Sequence, residues 1–342
     1  MTKILLTGGS GFIAAHILEQ LLAKNHTVIT TVRSQAKADT ILAAHKAHAD
    51  RLSVAVVGDI ARPGAFNDVV AQHGDGLEVV LHTASPFHFK FTDARTELIN
   101  PAVVGTVGIL HAIKASAPSV RRVVVTSSFA AILDAKKLND PATTFTEKSW
   151  NPARLEDIEE SPAMAYRVSK TLAERAAWDF VRDEKPNFDL VTVNPPLVLG
   201  PVVHHLATLD TINTSNERVV QLLSGKWKEG IPDTGPVVLW IDVRDVATAH
   251  VKAMENPAAG GHRLYTVGGR FTNKEIADIV RKGYPAFKDK LPGPDTPGGG
   301  CPPDTELFKF NTDETNKILG IDWIPLEKSL GDLVESLKQF DL

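Results

Sequence analysis

Tyr166 and Lys170 stand four residues apart within residues 164–179, a stretch of strong helix formers, so a helix there carries both side chains on one face. A phenol with an ordinary pKa of about 10 is a weak acid at neutral pH. An ammonium about 4 Å away is worth up to roughly 4 kcal/mol at an effective dielectric of about 20, enough to make Tyr166 a usable proton donor. Such a pair alone is often only a surface contact. Ser127 and Ser128 strengthen it, because they end an apolar run at 122–127, and ligands of open α/β sheets bind beyond the carboxyl ends of strands. A hydroxyl there could hold a carbonyl oxygen beside the phenol. The other serine would then be a strand-end cap, and spacing does not choose between them.

A second group suits phosphate. Thr7-Gly8-Gly9-Ser10-Gly11-Phe12-Ile13-Ala14 lies between a short apolar run and a helical pattern. Small residues at that junction let backbone amides approach a pyrophosphate at the positive end of a helix. The plain alternative is an ordinary tight strand-to-helix turn. About 20 residues on, a carboxylate would accept from a ribose 2′-hydroxyl and a cation would pair with a 2′-phosphate. No Asp or Glu occurs between Gln20 and Ala38, whereas Arg33 and Lys37 are both present, so NADPH is the expected cofactor. Asp59 and Ile60 close the third strand, where adenine would sit; a simple turn aspartate is the rival reading.

The elements that must hold these groups follow from periodicity. Apolar runs at 3–7, 27–33, 52–57, 78–83, 122–127 and 189–193 alternate with helical patterns, the signature of βαβ units. Several runs are nearly continuous Val, Ile and Leu, as strands covered on both faces require. Residues 12–24 place Ile13, Ile17 and Leu21 on one stripe, with Asn25 as a left-handed cap. Beyond the sixth strand Pro195, Pro196 and Pro201 break the rhythm. Later helices are expected at 245–255, after a Thr272/Glu275 capping box, and near 326–338, with 292–303 a loop. The expected fold is α/β: a Rossmann-type doubly wound parallel sheet over 1–195, with returning segments near 240–268, and a smaller mixed substrate-binding lobe over 196–342.

The chain has 342 residues, 43% hydrophobic and 23% charged, a composition that folds. With 37 basic against 41 acidic side chains and a net charge of -4, it offers no field for nucleic acid or anionic lipid. Its single cysteine, Cys301, cannot close an internal disulfide, no run approaches about 18 consecutive apolar residues, and the N-terminus lacks a secretory h-region; a cytoplasmic protein is expected. The 12 histidines form no ligand pair with a carboxylate, and the adjacent His204 and His205 diverge, so no metal is expected. Phe87, Phe129, Leu197 and Trp227 are candidate substrate walls, although each could equally be core.

Together, the glycine loop, His82-Thr-Ala-Ser-Pro-Phe87, Val124-Val-Thr-Ser-Ser-Phe-Ala130, Tyr166-x-x-x-Lys170 and Asn194-Pro-Pro-Leu-Val-Leu-Gly-Pro201 resemble the extended short-chain dehydrogenase/reductases. Within that family the likeness is to the fungal methylglyoxal/aldehyde reductase branch, related to dihydroflavonol and cinnamoyl-CoA reductases. Asn213-Thr-Ser215, Ile241-Asp-Val-Arg-Asp-Val-Ala247 and Arg270-Phe-Thr272 extend it over nearly the whole chain. The resemblance implies Ser128 as catalytic serine, Tyr166 as acid and Lys170 as the residue that binds the nicotinamide ribose and tunes the tyrosine. It also implies cofactor contacts at Thr83, Ala84, Ser85, Ser127, Pro196, Val198 and Ser215. The branch often carries Tyr where Phe129 and Leu197 stand, so two pocket hydroxyls are missing here. The implied activity is NADPH-dependent reduction of a small-molecule aldehyde or ketone by a monomer or homodimer. A sugar-nucleotide epimerase or dehydratase, and a non-catalytic NADP(H)-sensing module, are the competing classes; the latter would normally have lost one of the three catalytic residues.

Overall fold

A computed structural model describes residues 1–85 and 91–340. Seven strands form the main sheet: β1 (Lys3–Thr7), β2 (Thr27–Val32), β3 (Leu52–Val56), β4 (Val79–His82), β5 (Arg122–Thr126), β7 (Asp189–Val193) and β10 (Arg263–Leu264). Their order is β10-β7-β5-β4-β1-β2-β3 and every pairing is parallel. The order reverses between β1 and β4, which opens a crevice beyond their carboxyl ends. The fold is a Rossmann-type doubly wound α/β sheet. The expected strands 3–7 and 189–193 agree with β1 and β7; the other four stop one residue early, and the fourth also starts one residue late.

Helices cover both faces. On one, α1 (Phe12–Ala23) packs with α7 (Val243–Glu255); Ile17, Leu18 and Leu21 meet Ile4, Leu6, Val246 and Val251. Lys24 caps α1 and Asn25 follows at φ 61°, the expected left-handed stop. On the other face α3 (Asn67–His73), α4 (Asn100–Ser116) and α5 (Pro162–Glu184) cover Leu5, Val80, Val123 and Leu190. α2 (Gln35–Ala44) joins β2 to β3. Helical residues Arg95–Ser116 are long and apolar enough to cross a membrane by length and composition, and half of their most apolar 18-residue stretch is buried in the protein. Polar residues interrupt the stretch, so it holds no run of about 18 consecutive apolar residues.

The remaining strands build the smaller lobe. β8 (Leu197–Leu199) pairs parallel with β9 (Leu239–Asp242), and β11 (Gly269–Arg270) pairs antiparallel with β9, giving a mixed sheet. β6 (Thr144–Phe145) and β12 (Lys309–Phe310) form a second, two-stranded sheet. α6 (Thr214–Leu223), α8 (Asn273–Gly283) and α10 (Leu326–Leu337) enclose Trp227, Phe271, Leu330 and Leu333, while α9 (Asp313–Leu319) returns toward α7. At the start of α8 the Thr272 hydroxyl accepts the Glu275 amide at 3.0 Å, the forward half of the expected box.

Candidate active site

The turn after β1 shows why glycine is needed there. Gly8 adopts φ 77°, and an added Cβ would lie 3.1 Å from the Ala84 backbone. At Gly9 a Cβ would come within 2.1 Å of Thr30 Oγ1, so no larger residue fits against β2. Gly11 is the N-cap of α1 and supplies no side chain, leaving the first-turn amides uncapped. Ser10, Gly11, Phe12 and Ile13 line a trough over this helix end. One part, of about 630 Å³, runs past Arg33, Lys37, Asp59, Ile60, Ala84 and Ser85. The other, about 450 Å³, runs past Thr83, Ser127, Ser128, Tyr166, Lys170, Pro196, Val198 and Ser215. Gly8, Arg33, Lys37 and Thr83 border both, so the two parts are one continuous site.

Thr7 and Gly9 correct the expectation that the whole glycine loop lines the trough. Gly9 is buried, and its amide donates to Thr31 O at 2.9 Å. The Thr7 hydroxyl pairs with His82 Nδ1 at 2.9 Å and accepts the amides of Thr83 and Ala84 at 3.1 Å. Thr83 Oγ1 in turn donates to Thr7 O at 2.5 Å. These bonds clamp the ends of β1 and β4 together and hold the crevice open at its base.

At the rim, Arg33 and Lys37 are exposed, with no carboxylate partner for either among the described residues. Partial burial and the Arg33 charge both hold the Lys37 pKa below its ordinary value. Two neighbouring cations without a counterion suit a phosphate. Asp59 lines the same wall while its carboxylate accepts the Ala61 amide at 2.9 Å, so it is also the turn aspartate of the rival reading. These residues, the uncapped helix and the glycine cradle fit a dinucleotide bearing an extra phosphate.

The opposite end is built on β5, β7 and α5. Ser161 caps α5 by accepting the Met164 amide at 3.1 Å, and Pro162 occupies its first position, so the helix starts two residues before the expected 164. Beyond the end of β5 the ladder continues through Ser127 N to Val193 O at 2.8 Å and Phe129 N to Pro195 O at 2.9 Å. Ser128 is thereby fixed over α5. Its hydroxyl accepts the Ala130 amide at 3.1 Å and is hydrogen-bonded to the Tyr166 phenol. Ser127 points elsewhere, donating to Glu174.

Electrostatics here run against the simple two-charge expectation. Part of the Tyr166 ring opens into the trough, yet burial raises its phenol to about 12, opposed only by the Ser128 bond. Lys170 is 8% exposed, and burial lowers it to about 8 while the Glu174 charge opposes the fall. Desolvation therefore outweighs the Ser128 hydrogen bond at the phenol and the Glu174 charge at the ammonium. Tyr166 stays protonated throughout the neutral range, and Lys170 sits close to physiological pH.

Glu174 was not anticipated, although it continues the four-residue spacing of Tyr166 and Lys170 along one face. Fully buried, it accepts from Asn194 Nδ2 at 2.7 Å, Thr192 Oγ1 at 3.1 Å, Trp178 Nε1 at 3.3 Å and Arg263 Nε at 2.5 Å, besides Ser127. Arg263 also donates to Glu147 O at 2.8 Å, and its guanidinium lies 3.8 Å over the Trp150 ring. Nothing in local spacing marks Arg263, which β10 delivers from 89 residues away. His204, Asn213 and Thr214 also line the trough without having been expected to.

The apolar walls need correcting. Phe129 is 1% exposed and stacks on Tyr265 at 5.2 Å, with Phe145 and Phe308 around it; Trp227 is 2% exposed inside the lobe core. Both are structural, because each apolar ring found a closed cluster. Leu197 packs against the lobe core while its neighbours Pro196 and Val198 face the trough, as strand alternation dictates. Phe87 lies outside the described residues. Among the described residues no three His, Cys, Asp or Glu side chains converge as a metal ion requires.

Known proteins resemble this chain over nearly its whole length. Residues 4–268 match the NAD dependent epimerase/dehydratase family. A ketoreductase of Aspergillus niger, azaE, is 43% identical over 98% of this chain and 97% of its own length. The NADPH-dependent methylglyoxal reductase GRE2 of Saccharomyces cerevisiae is 38% identical over 99% of both chains. The crystal structure of yeast methylglyoxal/isovaleraldehyde reductase Gre2 complexed with NADPH superposes with a TM-score of 0.91, at 38% identity over 99% of each chain. The chain belongs to the NAD dependent epimerase/dehydratase family and, within it, stands among the fungal reductases.

Proposed function

We propose that this chain is an NADPH-dependent carbonyl reductase that converts small aldehydes or ketones to alcohols in the cytoplasm. The observation that carries the reading is the continuous trough, with Arg33 and Lys37, which have no carboxylate partner among the described residues, at one end and the hydrogen-bonded Ser128 and Tyr166 together with Lys170 at the other. The names of the Aspergillus and Saccharomyces relatives support the same class. Residues 1–195, with returning segments near 240–268, bind the cofactor; 196–342 contribute the substrate side.

Bound NADPH supplies a hydride for the carbonyl carbon. Arg33 and Lys37 hold the 2′-phosphate, and the amides at the start of α1 receive the pyrophosphate. Ser128 holds the carbonyl oxygen, and Tyr166 passes its phenolic proton to that oxygen as the alcohol forms. A phenol at about 12 gives up a proton readily only if the phenolate is stabilised as it develops, which the Ser128 hydroxyl and the Lys170 ammonium do. The Glu174 charge opposes the fall that burial imposes on the Lys170 pKa.

The test is an NADPH-oxidation screen over methylglyoxal, diketones, aryl ketones, aldehydes and hydroxyflavanones. Substrate-dependent oxidation with product alcohol is expected for at least one class. Failure of all of them, with NADPH binding intact, would point to the non-catalytic alternative.

A further inference from the structure

The loop that follows β8 brings His204 to the trough beside Gly11, Phe12, Arg33 and Lys37. Its ring sits 5.7 Å from that of Phe12, tilted by 60°, at the first turn of the uncapped helix α1. Nδ1 is buried and has no hydrogen-bond partner among the described residues. Around the imidazole, His16 comes from α1, Lys37 from α2 and His205 from the same loop. With burial as the larger cause, these groups hold its pKa down to about 4, and no carboxylate offsets them. An unbonded buried nitrogen near the Lys37 ammonium and the free amides of the helix start has an anion as its natural complement.

We propose that His204 is a further phosphate-binding residue, acting with Arg33 and Lys37 to hold the dinucleotide at the start of α1. An imidazole N–H donates to a phosphate oxygen, a charge-assisted bond that neither a leucine nor an alanine could supply. Two phosphates of the cofactor present that chemistry, the 2′-phosphate and the pyrophosphate. The inference rests on the NADPH reading.

Dissociation constants for NADPH and NADH, measured by fluorescence titration without carbonyl substrate, test it in the wild-type chain and in His204→Ala and His204→Gln. Circular dichroism checks that each variant is folded. His204→Ala should bind NADPH roughly tenfold more weakly, and His204→Gln, which keeps a donor, should recover part of the loss. Loss confined to NADPH supports the contact and places it on the 2′-phosphate; equal loss for both cofactors supports it on the pyrophosphate. Unchanged constants for both in folded His204→Ala would overturn it. A wild-type chain that bound NADH as tightly as NADPH would overturn the cofactor reading instead, a result visible before any variant is compared.

Discussion

At the α5 end of the trough the serine, threonine, asparagine and glutamate side chains are engaged by the protein itself. Ser127, Thr192, Asn194 and Arg263 converge on Glu174, and Ser128 is bonded to Tyr166. At the β2 end, Arg33 and Lys37 stand exposed with no acidic partner among the described residues. Burial sets the properties of the first region: it raises the phenol, depresses the ammonium and makes each missing partner expensive. Exposure sets those of the second, where charge is cheap to hold and remains available for a ligand. The α5 end is preorganised, and the β2 end keeps its positive charge available to an anion.

The largest expected effect probes the buried end directly. Tyr166→Phe should lower turnover by about 10²–10⁴ with NADPH affinity nearly unchanged, since the phenol gives a proton but does not hold the phosphates. Wild-type turnover in that variant would show that the buried end is not where the proton comes from.

Stability should separate the two ends next. Glu174→Gln leaves Arg263 buried without its counterion, a loss of about 3–5 kcal/mol by urea unfolding. Lys37→Ala, at the exposed rim, should stay within about 0.5 kcal/mol of wild type. Similar unfolding midpoints for both variants would mean the buried network adds nothing beyond surface contacts.

Cofactor choice then tests the rim. Arg33→Ala should raise the Michaelis constant for NADPH about 10- to 150-fold while hardly changing that for NADH. Arg33→Asp should push the preference further, by offering a carboxylate to a free 2′-hydroxyl. An unchanged ratio of specificity constants in Arg33→Ala would assign phosphate recognition to other cations.

The smallest effect is one of pH. Lys170 works as the ammonium, and its pKa is lowered to about 8, so kcat/KM should be maintained below pH 8 and decline as pH rises through it. Tyr166, raised to about 12, contributes nothing to that limb. A decline beginning only near pH 10 would show that burial does not depress the ammonium.

Local periodicity and turn chemistry made the sheet legible: short, mainly apolar runs marked β1 and β7 to the residue, and Asn25 marked the end of α1. That Tyr166 and Lys170 share one helical face, and that Arg33 and Lys37 follow β2, was equally readable, because a helix repeats nearly every four residues and a missing carboxylate after β2 is a property of composition. Which serine faces the phenol was not, since adjacent residues at a strand end point apart and only the continued β5–β7 ladder says which way. Phe129 and Trp227 carry the same apolar signal whether they line a pocket or fill a core; the partners Tyr265, Phe308 and Leu330 decided it. Arg263 and His204 gave no local signal at all. Residue type and spacing thus determined the strands, the helix face and the available charges. Long-range packing alone decided which of those groups are desolvated, and desolvation is what turns the phenol, the ammonium and the buried carboxylate into a site.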